Sequence, residues 1–240
     1  MQSVFEELDF QKTPYGEISL RRRSEPRLDH QIIFEVKLGD EFLMSSLFVE
    51  AEEQLATLGL AALRDNGFDR ALNVVVGGLG LGYTGLQALQ DKAVEKLRVI
   101  DVMQPVISWH QQGVLPIGDV LATDPKCQLL QGDFFAIACA DTRGFIDDQA
   151  VHAVLLDIDH SPGHWLNQAN SDFYTAKSLT KMATKIVPGG VFGLWSNELP
   201  DDSFCRHLDS IFSQVEAHII RFDNPYSGGE STNSVYIAHI

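Results

Sequence analysis

Cysteine is scarce in this sequence: Cys127, Cys139 and Cys205 are the only ones among 240 residues, far apart and without a CxxC pair. That excludes a disulfide framework and a cysteine-rich zinc site, and leaves reduced thiols serving as core filler. Long apolar runs are missing as well; no stretch approaches the roughly 20 apolar residues that a membrane-spanning helix needs. Met1 to Phe10 carries acids where a secretory leader carries bases and an apolar run, so the expected location is cytoplasmic and no membrane partner is expected. Bases are outnumbered, 18 Lys and Arg against 33 Asp and Glu, for a formal charge of −15. A nucleic-acid partner is not expected, because tracking phosphates needs a basic face that releases counterions. The one basic run, Arg21-Arg22-Arg23, follows the alternating Glu17-Ile18-Ser19-Leu20 and reads as the solvated end of an edge strand. Internal repeats and low-complexity tracts are absent too.

What is present is an ordinary globular composition, 45% hydrophobic, in a chain long enough for one sizeable α/β core with a small appendage. From Tyr15 to about Ser46 the apolar residues alternate, as in Ile32, Phe34, Val36 and Leu38, which predicts a small antiparallel β unit within residues 1–50. From Ala51 the period becomes helical, with Ala51, Leu55, Leu58 and Ala62 on one face and Asn66-Gly67 ending the run. Over residues 51–240 short apolar strands then alternate with amphipathic helices. The strands fall at Leu72 to Gly77, Leu97 to Asp101, Cys127 to Gln131, Val151 to Asp157 and Val191 to Trp195. Such alternation predicts a mostly parallel sheet covered on both faces, a Rossmann-like α/β fold. A helical stripe over Asp172 to Val187 runs into Pro188-Gly189-Gly190, read as a turn, and Val215 to Phe222 with Ser234 to His239 reads as a terminal antiparallel hairpin.

The glycine-rich turn Gly78-Leu79-Gly80-Leu81-Gly82, followed by Tyr83-Thr84, comes directly after the first of these strands. Glycines there let the backbone approach a ligand and let a helix start against the sheet. The overlapping run from Gly80 to Gly85 also matches a dinucleotide fingerprint, so a nicotinamide cofactor stays open on the turn alone. Asp101 ends the second strand about 20 residues on, where an acid accepts hydrogen bonds from ribose hydroxyls, with Val102 beside it. Gly132-Asp133-Phe134 ends the third strand, with a carboxylate to face an adenine amino group and a ring to cover the base. Each acid also reads as a helix cap, but three polar groups at the carboxyl ends of successive strands are where open α/β sheets bind ligands.

With these residues in hand, the sequence resembles the spermidine synthase family of aminopropyltransferases, which share the class I methyltransferase fold. The resemblance runs through Glu53-Gln54-Leu55-Ala56, the Gly78 to Thr84 turn, Asp101 with Pro105-Val106-Ile107, Gly132-Asp133, Asp157 and Pro188-Gly189-Gly190, in the family's order. It implies a seven-stranded sheet with a terminal hairpin, decarboxylated S-adenosylmethionine or S-adenosylmethionine as co-substrate, and a small amine or other small acceptor. It also implies a homodimer. In such enzymes the residues matching Asp101 and Asp133 hold the ribose and adenine, and the one matching Asp157 orients or deprotonates the attacking amine. An amine attacks carbon beside a sulfonium only after losing its proton, so a base and positioning both contribute there. The chain departs from the family at Leu81, where an Asp is usual, at Ala51-Glu52, where Tyr-His or Tyr-Gln is usual, and at Asp157-Ile158-Asp159-His160-Ser161-Pro162, in place of Asp-Ser-Ser/Thr-Asp-Pro. Glu52, Asp159 and His160 are the expected replacements around the amine, with Trp195, Ser196 and Asn197 completing an acceptor site.

Two other readings use the same residues. In a catechol-type, magnesium-dependent O-methyltransferase, Asp157 takes the first metal-ligand place and Ser196-Asn197 the second, with Ser196 where a charged ligand is usual. A transition-metal site from Asp157, Asp159, His160 and His164 is the weaker variant, since Pro162-Gly163 leaves no helix to align the ligands. A non-catalytic nucleoside-binding module is the third possibility, against which the polar set after two adjacent strands stands as richer than binding requires.

Overall fold

A computed structural model describes residues 4–240; Met1 to Ser3, the start of the acid-bearing stretch noted above, lie outside them. The chain opens with a four-stranded antiparallel sheet in sequence order: β1 (Phe5–Thr13), β2 (Gly16–Glu25), β3 (Gln31–Leu38) and β4 (Glu41–Ser45). Its alternation puts Ile18, Leu20, Ile33 and Val36 inside. The expected edge strand is an interior one: β2 pairs with both β1 and β3. The arginines are not simply solvated either, because Arg21 and Arg23 both pair with Glu35, which is 3% exposed. β1 itself, largely exposed and rich in charge, carries too little apolar alternation to be read from sequence.

Helix α1 (Glu50–Asp65) follows, burying Ala51, Leu55, Leu60 and Leu63 against the main sheet. Each buried leucine of this kind contributes about 1.5–3 kcal/mol. The main sheet has seven strands in the order β10-β11-β9-β8-β5-β6-β7. Five run parallel: β5 (Leu72–Gly77), β6 (Val94–Asp101), β7 (Cys127–Gln131), β8 (Val151–Leu156) and β9 (Ile186–Ser196). Between them lie α2 (Tyr83–Gln90), α3 (Gln104–Gln111), α4 (Gly118–Thr123), α5 (Phe134–Ala138) and α6 (Ala176–Ala183), with α7 (Asp202–Asp209) after β9. The chain ends in the antiparallel hairpin β10 (Gln214–Asn224) and β11 (Gly229–His239), and β11 pairs with β9.

Two expectations are corrected here. Pro188-Gly189-Gly190 does not precede the fifth parallel strand but lies inside β9, which starts at Ile186. The single helix expected over 172–187 is a 3-10 segment, Gln168–Tyr174, and a shorter α6 capped by the Thr175 hydroxyl. Apolar side chains on both sheet faces form two cores, one under α1 and α2 and one aromatic, around Phe134, Phe173 and Phe192. Strand order turns back at β5, with β6 and β7 to one side and β8 and β9 to the other. The carboxyl ends of the strands therefore flank a crevice at β5, where such sheets take ligands.

Candidate functional site

A cavity of about 780 Å³ opens there, between the strand ends, the N-terminal sheet and the terminal hairpin. That volume suits a nucleoside plus a small second molecule. Gly78, Asp101, Asp133, Asp157 and Asn197 line it, one group from the end of each of the five parallel strands. Gly80, Val102, Phe134, Glu52, His160 and Trp195 line it as well.

The glycine turn owes its shape to backbone geometry that side chains resist. Gly78 has φ +95°, and a Cβ on it would run into the Asp157 carbonyl oxygen. Beneath the turn, fully buried His110 bonds the Gly80 carbonyl through Nε2 at 2.9 Å, and burial holds its pKa below the usual histidine value. From above, Met44 of β4 closes on Gly80, and its Sδ accepts the Leu81 N–H at 3.0 Å. Gly82, Thr84 and Gly132 shape the site without lining the main cavity. Gly82 starts α2 in a left-handed conformation, φ +94°, and borders only a small side cleft. The buried Thr84 hydroxyl donates to Asp157 Oδ2 at 2.7 Å and lies 3.2 Å from the Glu52 carbonyl.

Asp101 and Asp133 each have a structural task in addition to facing the cavity. Asp101 accepts the Leu79 N–H at 2.9 Å and the Met103 N–H at 2.7 Å, so its carboxylate ties the glycine turn to the start of α3. Desolvation nevertheless raises its pKa. Asp133 caps α5, accepting the Ala136 N–H. Phe134, 2% exposed, belongs to the aromatic core and also lines the cavity.

The two acids after β8 have different fates. Asp157 reaches the cavity, and burial pushes its pKa up to about 6 against an ordinary 3.8, opposed by the Thr84 hydrogen bond. Glu52, from the first turn of α1, sits close enough that burial and the Asp157 charge together raise its pKa well above the carboxylate range. Each carboxylate thus resists ionisation because water is excluded and the other is near. Asp159, expected among the catalytic groups, is 2% exposed and is absent from the cavity wall. Its oxygens accept from Leu166 N–H, Asn170 Nδ2 and Tyr174 Oη at 2.8, 2.8 and 2.9 Å, which folds the loop after β8. His160 faces the cavity but holds Glu41 Oε1 at 2.9 Å through Nε2. Ser196 is fully buried, its Oγ accepting the Glu198 N–H, and is likewise absent from the wall.

For a magnesium site, Asp157 and Asn197 make a poor pair. Asp157 Oδ2 is taken by Thr84, Asn197 Oδ1 accepts the Asn233 amide at 3.0 Å, and Ser196 is buried away from both tasks. One carboxylate falls short of the several oxygens that the ion needs. Among the described residues no group of three or more His, Cys, Asp and Glu side chains is placed to hold a metal ion. No helix of the described residues is long and apolar enough to cross a membrane.

Sequence alone misses several wall residues: Met44 and Phe48 from the N-terminal unit, and Phe222, Asn224, Ser231, Thr232 and Asn233 from the hairpin. None carries a motif; tertiary packing alone brings them to the cavity.

No protein-family model matches the chain, and no curated protein matches it. Solved structures do. The crystal structure of spermidine synthase from Thermotoga maritima superposes with a TM-score of 0.72 at 15% identity, over 97% of this chain and 72% of that one. A spermidine synthase in complex with the transition-state analogue AdoDATO gives 0.73 at 15% identity, over 97% and 73%. Human methyltransferase-like protein 13 in complex with SAH gives 0.59 at 16% identity, over 79% and 82%. The chain thus has the fold of the spermidine synthases and class I methyltransferases, including the N-terminal sheet and terminal hairpin that the first two alignments span.

Proposed function

We propose that this protein transfers an aminopropyl group from decarboxylated S-adenosylmethionine to an amine. The observation that carries the reading is charge: Glu52, Asp101, Asp133 and Asp157 line the cavity, and no Lys or Arg does. The decarboxylated nucleoside brings an ammonium and a sulfonium into such a site, whereas S-adenosylmethionine also brings a carboxylate that meets no cation there. In a partly dry cavity an unpaired charge is costly, so the wall favours the decarboxylated form.

In this reading Asp101 and Asp133 face the nucleoside, as their places at the ends of β6 and β7 suggest. Glu52 pairs with the aminopropyl ammonium, whose charge offsets the burial and the Asp157 charge that disfavour its ionisation. Asp157 takes a proton from the attacking amine, for which a carboxylate near 6 is a better base than one near 3.8. The amine lone pair then forms the C–N bond to the methylene beside sulfur, and the C–S electron pair leaves on methylthioadenosine. Thr84 keeps Asp157 aimed through its hydrogen bond.

Calorimetric titration with the two nucleosides tests the charge argument. Decarboxylated S-adenosylmethionine is expected to bind at least tenfold more tightly, and tighter binding of S-adenosylmethionine would move the reading to methyl transfer. Tight nucleoside binding with no transfer to any amine would leave a binding module.

A further inference from the structure

The acceptor half of the cavity is built differently from the rest. Its wall comes from the end of β9 and the hairpin: Asn197, Asn224, Ser231, Thr232 and Asn233, beside Trp195 and Phe222. All of these are uncharged. Asn233, 6% exposed, donates Nδ2 to Asn197 Oδ1, which leaves the Asn233 carbonyl and the Asn197 amino group without a side-chain partner among the described residues. Trp195 contributes aromatic surface to the wall, while its indole N–H is shut away from solvent and donates nothing to the cavity. Ser231 Oγ accepts from Asn224 Nδ2 and keeps its own proton to donate. Donors and acceptors are thus both on offer, next to aromatic surface.

The acids are already committed. Asp101 and Asp133 stand at the nucleoside end, and Glu41 is held by His160. Glu52 and Asp157 remain, one for the donor's ammonium and one for the acceptor's reacting amine. No carboxylate is left for a second ammonium on the acceptor, and burying one against neutral amides would carry a desolvation cost without a counter-charge.

We infer that the acceptor is a monoamine with an uncharged, hydrogen-bonding tail, such as a carboxamide or hydroxyl, and not a diamine. This rests on the aminopropyl-transfer reading and narrows its substrate class. The test is calorimetry on the full chain saturated with S-adenosyl-3-thiopropylamine, a thioether that keeps the aminopropyl ammonium for Glu52 and cannot transfer it, titrated at pH 8 with 4-aminobutanamide and with putrescine, which share chain length and differ in the tail. The amide is expected to bind at least tenfold more tightly. Equal binding, tighter putrescine binding, or binding of neither overturns the inference; failure of S-adenosyl-3-thiopropylamine itself to bind would instead sink the aminopropyl-transfer reading beneath it. Asn197→Asp sharpens the result, since a carboxylate still accepts the Asn233 amide while adding the missing charge. That variant, checked for an unchanged melting temperature, is expected to shift the preference at least tenfold towards putrescine. No shift would remove Asn197 from the acceptor wall.

Discussion

The two ends of the cavity are held by different means. At the end of the glycine turn, proposed for the nucleoside, everything hangs on backbone: glycines at positive φ, a carboxylate taking two N–H groups, and a buried histidine under the turn. At the other end, proposed for the acceptor, the wall is made of side chains from the hairpin and the N-terminal sheet, elements that meet through tertiary contact. The first kind of site tolerates almost no substitution. The second is free to change its residues, and with them its substrate, without touching the fold.

The sharpest way to break that contrast is glycine replacement. Gly78→Ala, with φ +95° and the Asp157 carbonyl in the way, is expected to cost about 3 kcal/mol or more and to abolish methylthioadenosine binding. Gly229→Ala at the hairpin turn has nothing within 4 Å of the added Cβ, and denaturant unfolding should place it within about 0.5 kcal/mol of the parent. Comparable losses at the two positions would show that the hairpin end is no more permissive than the turn.

Next in size is the comparison of Asp157 with Asp159. Asp157→Asn is expected to lower transfer about 100- to 1000-fold, the loss typical of a missing base, with the nucleoside still bound. Its stability effect has the opposite sign. Because the folded pKa of about 6 exceeds the ordinary 3.8, the ionised carboxylate opposes folding at neutral pH; the favourable contribution is present below 3.8 and lost as pH rises through about 6. Asp157→Asn should therefore raise stability at pH 8, by about 1–3 kcal/mol. Burial raises the Asp159 pKa as well, but Asp159→Asn should do the reverse, losing about 1–3 kcal/mol, because Leu166, Asn170 and Tyr174 all donate to that carboxylate and an amide has one oxygen to accept with. Its rate loss should be recovered where the fold is stabilised by an osmolyte such as trimethylamine N-oxide, which leaves the nucleoside site free. If Asp159→Asn instead melts like the parent and loses turnover, the division of labour between the two acids is wrong.

Why these two acids look alike in sequence is instructive. Asp157-Ile158-Asp159-His160 places three polar groups after a buried strand, and nothing local distinguishes the one facing ligand from the one folding the loop. The distinction comes from Asn170 and Tyr174, 11 and 15 residues further on, which capture Asp159. The parallel strands were legible because their side chains are buried on both faces and read as short apolar runs; β5 matches its expected bounds, Leu72–Gly77. β1 and the start of β9 were not, because one is charged and exposed and the other carries Pro188 and two glycines inside the strand. The hairpin was visible as strands, but its asparagines became site residues only through folding.

A smaller effect is expected from pH. Transfer by the parent should be flat above pH 7 and decline as pH falls through about 6, as Asp157 takes up its proton and ceases to be a base. Binding of decarboxylated S-adenosylmethionine should release protons in the acidic range, because pairing with the ammonium opposes the burial and the Asp157 charge that raise the Glu52 pKa; calorimetry in buffers of differing ionisation enthalpy reads it. A profile that stays flat to pH 5 would mean that Asp157 does not take the proton.

The smallest predicted effect concerns the joint between the N-terminal sheet and the hairpin. Tyr226, in the turn between β10 and β11, accepts from Arg23 at 2.7 Å and donates to Glu25 at 2.9 Å through its hydroxyl, while Arg27 stacks over its ring. Phe48 packs against both Phe222 and Tyr226, so this contact closes the acceptor end of the cavity. Tyr226→Phe removes the two hydrogen bonds and keeps the ring, and should cost about 1 kcal/mol of stability. Loosening this joint reaches Phe48 and Phe222 but not the glycine turn, which His110 and Asp101 hold from the other side. The acceptor KM should therefore rise a few-fold while methylthioadenosine affinity stays unchanged. A parallel loss of nucleoside affinity would show that the two ends of the cavity are mechanically one, and that the freedom assigned to the acceptor end is smaller than its side-chain construction suggests.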